Sequence, residues 1–176
     1  MNEPREPTVG STLVLGGARS GKSRHAQALA EASGGRLVFV ATAQAFDDEM
    51  TARIARHRTE RDSRWTTVEA PIDLATAIGR LDAPGTTTLV DCLTLWASNL
   101  LLSGTTMEPA LEPLLAAVAS PLGRIILVSN EVGLGIVPDN ALARAFRDMA
   151  GTINQRVAAA VDHVHFVAAG LSLKLK

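Results

Sequence analysis

The chain has one cysteine, only three lysines and almost no net charge, −1 over 176 residues. A lone thiol, Cys92, excludes an intramolecular disulfide framework and cannot by itself build a thiolate metal site. Near-neutrality leaves no broad basic field to gather nucleic acid or an anionic membrane, so any anion must be held locally. No apolar stretch approaches the roughly 18 residues of a spanning helix. The opening MNEPREPTVG is polar and proline-interrupted, unlike the charged-then-apolar start of a signal peptide. These absences predict a cytoplasmic protein with no membrane insertion and no nucleic-acid partner.

At 47% hydrophobic and 20% charged, the chain can bury a substantial core. Residues 1–9 read as a polar leader and residues 10–176 as a single domain, with no linker, internal repeat or low-complexity segment. Short apolar, β-branched runs at 11–15, 37–41, 66–68, 88–90, 125–129 and 164–168 read as strands. Helices are expected over 23–32, 47–61, 73–81, 93–102, 112–119 and 141–161, with 104–109 and 130–140 irregular. Strands buried on both faces and alternating with helices imply an α/β fold, a mostly parallel central sheet with helices on both faces.

Lys22 is the one lysine outside the last three residues, and it sits in Gly16-Gly17-Ala18-Arg19-Ser20-Gly21-Lys22-Ser23. This matches G-x-x-x-x-G-K-[ST] between an expected strand and an expected helix. Glycines let successive N–H groups turn inward as a nest, and the helix N-terminus adds its dipole. The Lys ammonium reaches the terminal phosphates and the Ser23 hydroxyl takes a Mg²⁺ position. The bland alternative is a glycine-rich turn that merely caps a helix. Asp91, where the run TTLVD ends, supplies an acid for the Mg²⁺ shell, its alternative being an N-cap for the helix that follows.

Helix 47–61 places Met50, Ile54, His57 and Arg61 on adjacent turns, and residues 53–64 hold five of the 14 arginines. His57 reads either as an ordinary structural or surface histidine or as an imidazole that attacks phosphorus amid guanidinium groups. The loop 130–138, with Gly133 and Gly135 among four aliphatics, reads either as an apolar flap or as a packed connection. Arg144 and Arg147 suit phosphate contacts or ion pairs with Asp148 or Asp139. Helix 93–102 carries leucines and Trp96 around most of its circumference, which suits burial against its own core and a neighbouring subunit.

Six segments in order, GGARSGKSRHA, ATAQAFDDEMTARIARHR, W-x₃-E-x-P, LVDCLTLWASNLL, SNEVGLGIVP and RAFRDMAGTINQ, resemble the bifunctional adenosylcobinamide kinase/adenosylcobinamide-phosphate guanylyltransferase family. The resemblance spans nearly the whole chain after the leader. It implies a P-loop NTPase-like fold and two reactions. Adenosylcobinamide is phosphorylated by ATP or GTP, and GMP then passes from GTP to adenosylcobinamide phosphate through a guanylyl-histidine, releasing pyrophosphate. His57 matches the nucleophile. Nucleotide-binding positions carried over are the eight P-loop residues, Ala41, Thr42 and Ala43, Arg58, Thr59, Glu60 and Arg61, Glu69 and Asp91, the last an acid one methylene shorter than the Glu of some relatives. The resemblance also implies a homotrimer. Because the two reactions attack different phosphorus atoms, one rigid nucleotide pose cannot serve both, and the His57 helix is expected to move toward the α-phosphate when GTP binds. The competing readings are another P-loop small-molecule kinase and a GTP-dependent switch; the latter is disfavoured because no N-K-x-D guanine-reading motif occurs.

Overall fold

The structure, a computed structural model, describes residues 8–44 and 62–176. The leader up to residue 7 and the expected His57 helix lie outside the described residues.

Seven strands form one sheet: β1 (Gly10–Gly16), β2 (Arg36–Ala41), β3 (Trp65–Glu69), β4 (Thr86–Asp91), β5 (Arg124–Asn130), β6 (His163–Ala168) and β7 (Leu171–Lys174). Their order is β3-β2-β4-β5-β1-β6-β7. The first six run parallel, and β7 returns antiparallel on β6. The described helices are α1 (Lys22–Ala32), α2 (Leu74–Leu81), α3 (Leu93–Ser103), α4 (Met107–Ala119) and α5 (Ala141–Ala160).

Alternation along each strand sends neighbours to opposite faces. Val14, Leu37, Phe39, Leu89, Ile126 and Val128 pack with Ala26 and Ala30 of α1. Leu13, Val40, Val90, Ile125, Leu127 and Val164 pack on the other face against α2, α3, α4 and α5. The central strands are therefore buried at nearly every position, and the sheet is covered on both sides as expected.

Three sequence expectations need correction. The C-terminal residues form β7, an exposed strand invisible to a search for buried runs. Helix α4 begins at Met107 inside the stretch read as irregular; Pro109 lies in its first turn, where a missing N–H costs no hydrogen bond, and Pro113 lies within it. Two prolines therefore disguised a helix. The third concerns α3, which buries Leu93, Trp96, Ala97 and Leu100 within its own chain and leaves Leu102 61% exposed, so most but not all of its apolar circumference is spent on its own core.

Trp96 is the largest fully buried side chain, and its Nε1 donates to the Ile72 carbonyl at 2.8 Å. Trp96→Ala is expected to cost about 3–5 kcal/mol of stability. Trp96→Phe, which mainly strands that carbonyl, should cost about 1–3 kcal/mol. Urea denaturation of both variants checks the order.

Candidate active site

The turn after β1 is set by two glycines with different requirements. At Gly16 the need is space: a Cβ there would run into the Val167 carbonyl oxygen and come within 2.5 Å of Ser20 Oγ. At Gly21 it is conformation, φ +95°, with the Gly170 Cα only 3.2 Å from where a Cβ would stand. Arg19 also takes a left-handed conformation, φ 56°, unusual for a residue with a side chain and typical of backbone nests that turn N–H groups toward an anion.

The turn is fastened from two sides. Glu131 N–H donates to the Gly16 carbonyl at 3.1 Å, from the exit of β5, and Gly170 N–H donates to the Ser20 carbonyl at 2.8 Å, from the β6–β7 hairpin. The unforeseen β7 thus belongs to the hairpin that backs the phosphate turn. Lys22 is buried and folds over the loop, its Nζ donating to the Gly17 carbonyl at 3.2 Å. Gly21 offers α1 no side-chain cap, so no side chain competes for the first-turn N–H groups. Ser23, half-buried, is the second residue of α1.

The remaining described positions lie along the C-terminal edge of the same sheet. Register aligns Ala41 with Glu69 on one side and Asp91 on the other, so the two carboxylates flank the end of β2. Asp91 is half-buried and closes β4; Glu69 is exposed and closes β3. Beside Glu69 opens a cavity of about 570 Å³ whose lining includes Pro71, Ile72, Asp73, Thr76 and Arg80. The alternative role for Asp91 is corrected: Cys92, not Asp91, is the N-cap of α3, its Sγ accepting from Leu95 N–H at 3.5 Å.

Thr42 is fully buried. Its Oγ1 donates to the Cys92 carbonyl at 2.7 Å and accepts from Cys92 N–H at 2.8 Å. The Thr42 carbonyl takes Asn99 Nδ2 at 2.8 Å. This hydroxyl is committed to holding the end of β2 against the β4–α3 corner, which fixes where Ala41 and Asp91 stand. Ala43, half-buried, follows. His57, Arg58, Thr59, Glu60 and Arg61 lie outside the described residues. Arg144 donates to the carbonyls of Pro138 and Asp139, and Arg147 pairs with Asp148 at 3.3 Å. In the 130–138 loop Leu134 and Ile136 are 82% and 97% exposed, so these aliphatics do not pack on the core.

Sequence reasoning missed a polar ring between the turn and Asp91. Asn130 N–H donates to Thr94 Oγ1 at 2.7 Å, Thr94 Oγ1 and Ser129 Oγ are 3.2 Å apart, Ser129 Oγ donates to Asn154 Oδ1 at 2.6 Å, and Asn154 Nδ2 donates to the Asn130 carbonyl at 3.1 Å. Its one signal was the pair Ser129-Asn130 following the aliphatic run from Ile125 to Val128.

A nest at a helix N-terminus, a buried lysine above it and an acid at the end of a parallel strand one place removed define a P-loop nucleotide-binding enzyme. Solved structures agree on the fold: a prototypical ATPase from a bacterial type III secretion system superposes with a TM-score of 0.56 at 14% identity, covering 94% of this chain and 56% of its own. The flagellar accessory protein FlaH of Methanocaldococcus jannaschii gives 0.54 at 13% identity, covering 95% and 78%. Residues 12–175 match the family described as cobinamide kinase / cobinamide phosphate guanyltransferase, and the chain belongs to that family. It is 48% identical over 166 residues to the bifunctional adenosylcobalamin biosynthesis protein CobP of Pseudomonas aeruginosa, covering 93% of this chain and 96% of that one. It is 45% identical to the bifunctional adenosylcobalamin biosynthesis protein CobU of Salmonella typhimurium, covering 93% and 98%.

Gly16→Ala is expected to weaken GTP binding at least about tenfold, a loss of about 1.4 kcal/mol, because the added carbon must displace backbone. Gly17→Ala, whose Cβ meets nothing within 4 Å, should melt like the parent. Fluorescent-nucleotide titration and thermal melts test the pair. Burial, reinforced by the Asp91 charge, pushes the Cys92 thiol up to about 11. The native state then holds the thiol proton more tightly than the unfolded chain, so stability falls as pH rises from about 9 to about 11. The same burial predicts that Cys92 reacts with a thiol reagent at pH 8 only when urea unfolds the protein, and Cys92→Ser should flatten the alkaline decline.

Proposed function

We propose that this enzyme phosphorylates adenosylcobinamide with ATP or GTP and then transfers GMP from GTP to adenosylcobinamide phosphate, giving adenosylcobinamide-GDP and pyrophosphate. The observation that carries this reading is the fastened phosphate turn with Lys22 folded over it and Asp91 at the edge of the same sheet, in a chain of this family.

In the first reaction the substrate hydroxyl oxygen bonds to the γ-phosphorus, the bond to the β–γ bridging oxygen breaks, and a nucleoside diphosphate leaves. Most of the catalysis is positioning and charge neutralisation. The nest N–H groups and the Lys22 ammonium hold the phosphates and stabilise charge as it moves to the leaving oxygen. Ser23 and Asp91 present hard oxygen donors at the two sides of this site, which fits Mg²⁺. Among the described residues no group of three or more His, Cys, Asp or Glu forms a protein-only metal cage, as expected where an ion is held largely by phosphate and water. When bound, the ion neutralises phosphate charge.

In the second reaction an imidazole nitrogen of His57 attacks the α-phosphorus and pyrophosphate leaves. A phosphate oxygen of adenosylcobinamide phosphate then displaces the imidazole, breaking the P–N bond and forming the P–O–P linkage. Arg58 and Arg61 neutralise the triphosphate and its leaving group, while Thr59, Glu60 and Glu69 contact the nucleotide. The resemblance of the segment around His57 supports these roles. The protein works in the cytoplasm as a homotrimer, a reading consistent with the absence of any described helix long and apolar enough to cross a membrane and with exposed leucines along β7.

Incubation with α-labelled GTP tests the transferase directly. Acid-labile, alkali-stable label is expected on the protein. His57→Ala should abolish it and lower guanylyl transfer at least about a thousandfold, as loss of a covalent nucleophile does, while phosphorylation of adenosylcobinamide persists. A wild type that phosphorylates but takes no label would be a kinase alone.

A further inference from the structure

Asn130 closes β5 between the phosphate turn and Asp91, and the two sides of this strand end are treated differently. Toward α3 and α5 the peptide is locked: its N–H and its carbonyl are the two ends of the ring through Thr94, Ser129 and Asn154. Ser129, Thr94 and Asn154 are all buried. Register pairs Asn130 with Gly16, and the next residue, Glu131, donates to the Gly16 carbonyl. The base of the Asn130 side chain is therefore fixed relative to the first glycine of the turn.

Toward α1 lies the carboxamide. Ile126 and Val128 on β5, Val14 on β1 and Leu89 on β4 all face α1, so strand alternation puts Asn130, Gly16 and Asp91 on that same side at the edge of the sheet. Here the Asn130 Oδ1 is shut off from solvent with no hydrogen-bond partner, and the carboxamide as a whole makes no bond to the described residues. A rigid network that holds a side chain at its root and leaves its polar end unmatched is poorly explained by stability, because an unpaired buried oxygen is destabilising and folded chains retain few of them. With the oxygen turned inward, the amide donor is left for the side where phosphate is bound. That orientation suits a negatively charged group.

We propose that Asn130 positions the transferred phosphoryl group in the kinase step, its Nδ2 donating to a γ-phosphoryl oxygen between the turn and Asp91. The inference rests on the kinase reading above. A carboxamide does not titrate, so Asn130 takes no proton; it aligns the γ-phosphorus for in-line attack and strengthens its contact as charge spreads over the equatorial oxygens. The atoms exchanged are those of the kinase step alone, and the hydroxyl proton leaves to solvent. In guanylylation the reacting centre is the α-phosphorus, two phosphorus atoms away, so a donor aligned on the γ-position touches none of the reacting bonds.

The bifunctional chemistry supplies the test. Full-length Asn130→Ala and Asn130→Asp are assayed for phosphorylation of adenosylcobinamide and, separately, for guanylyl transfer to ready-made adenosylcobinamide phosphate. Both variants are expected to lose about a hundredfold in kinase kcat, the usual effect of deleting one donor to a developing anion. KM for adenosylcobinamide and the guanylyl transfer rate should stay within about threefold. Asn130→Asp keeps the shape but replaces the donor with a charge, so it should be no better than Asn130→Ala. A thermal melt reports folding, and if Asn130→Ala does not fold, the isosteric Asn130→Asp decides. Kinase activity retained above about a third, or an equal fall in both reactions at an unchanged melting temperature, overturns the proposal. A wild type without kinase activity overturns the functional reading itself, and shows it before any variant is compared.

Discussion

Glu131 N–H reaches the Gly16 carbonyl while the Gly16 Cα lies so close to the Val167 carbonyl and Ser20 that no side chain fits between them. That three-way approach of β1, β5 and β6 is the constraint from which the site follows. It brings the turn down onto the sheet edge and starts α1 with its positive end at that turn. The β6–β7 hairpin closes the back of the turn through Gly170, so a segment at the far end of the sequence shapes a motif near its beginning.

The second fixed point is the end of β2. Thr42 grips both backbone groups of Cys92, and Asn99 ties the Thr42 carbonyl to that of Pro71. Three strand ends, β2, β3 and β4, are held in register by two buried polar side chains, and this places Glu69 and Asp91 on either side of Ala41. Buried polar groups with all their bonds made specify one arrangement more sharply than aliphatic packing does, because a shifted register would leave each of them unpaired.

Elements that announce themselves by burial were legible. The strands LVL, LVFVA, TTLV, IILV and the run at 164–168 are largely apolar and buried on both faces, as a parallel sheet between helices requires. The phosphate turn was legible because its residue types answer to local backbone and charge requirements. What escaped was structure whose cause lies elsewhere in the chain. LSLKLK is exposed on both sides, and only its pairing with β6 makes it a strand. Met107 to Pro109 reads as a loop until the first-turn exemption for proline is recognised. Thr42 matched a nucleotide-contact position, and its structural bonds to Cys92, 50 residues away, have no local signature. The ring through Thr94, Ser129 and Asn154 likewise joins three separate elements.

An enzyme that breaks the same triphosphate at two different bonds needs some groups common to both events and some private to each. In the proposed mechanism the nest and Lys22 hold the phosphates as such and are shared, since anion binding by backbone N–H groups is indifferent to which phosphorus reacts. Discrimination must come from side chains set at different depths along the sheet edge. Register gives those depths: Asp91 stands level with Val128 on β5, and Asn130 stands two residues beyond it, level with Gly16. A rise of about 3.3 Å per residue puts these levels about 7 Å apart, comparable with the spacing between the terminal and innermost phosphorus atoms of an extended triphosphate. On the proposed reading the parallel sheet acts as a ruler, its staggered strand ends setting Asn130 and Asp91 at different levels beside the phosphates.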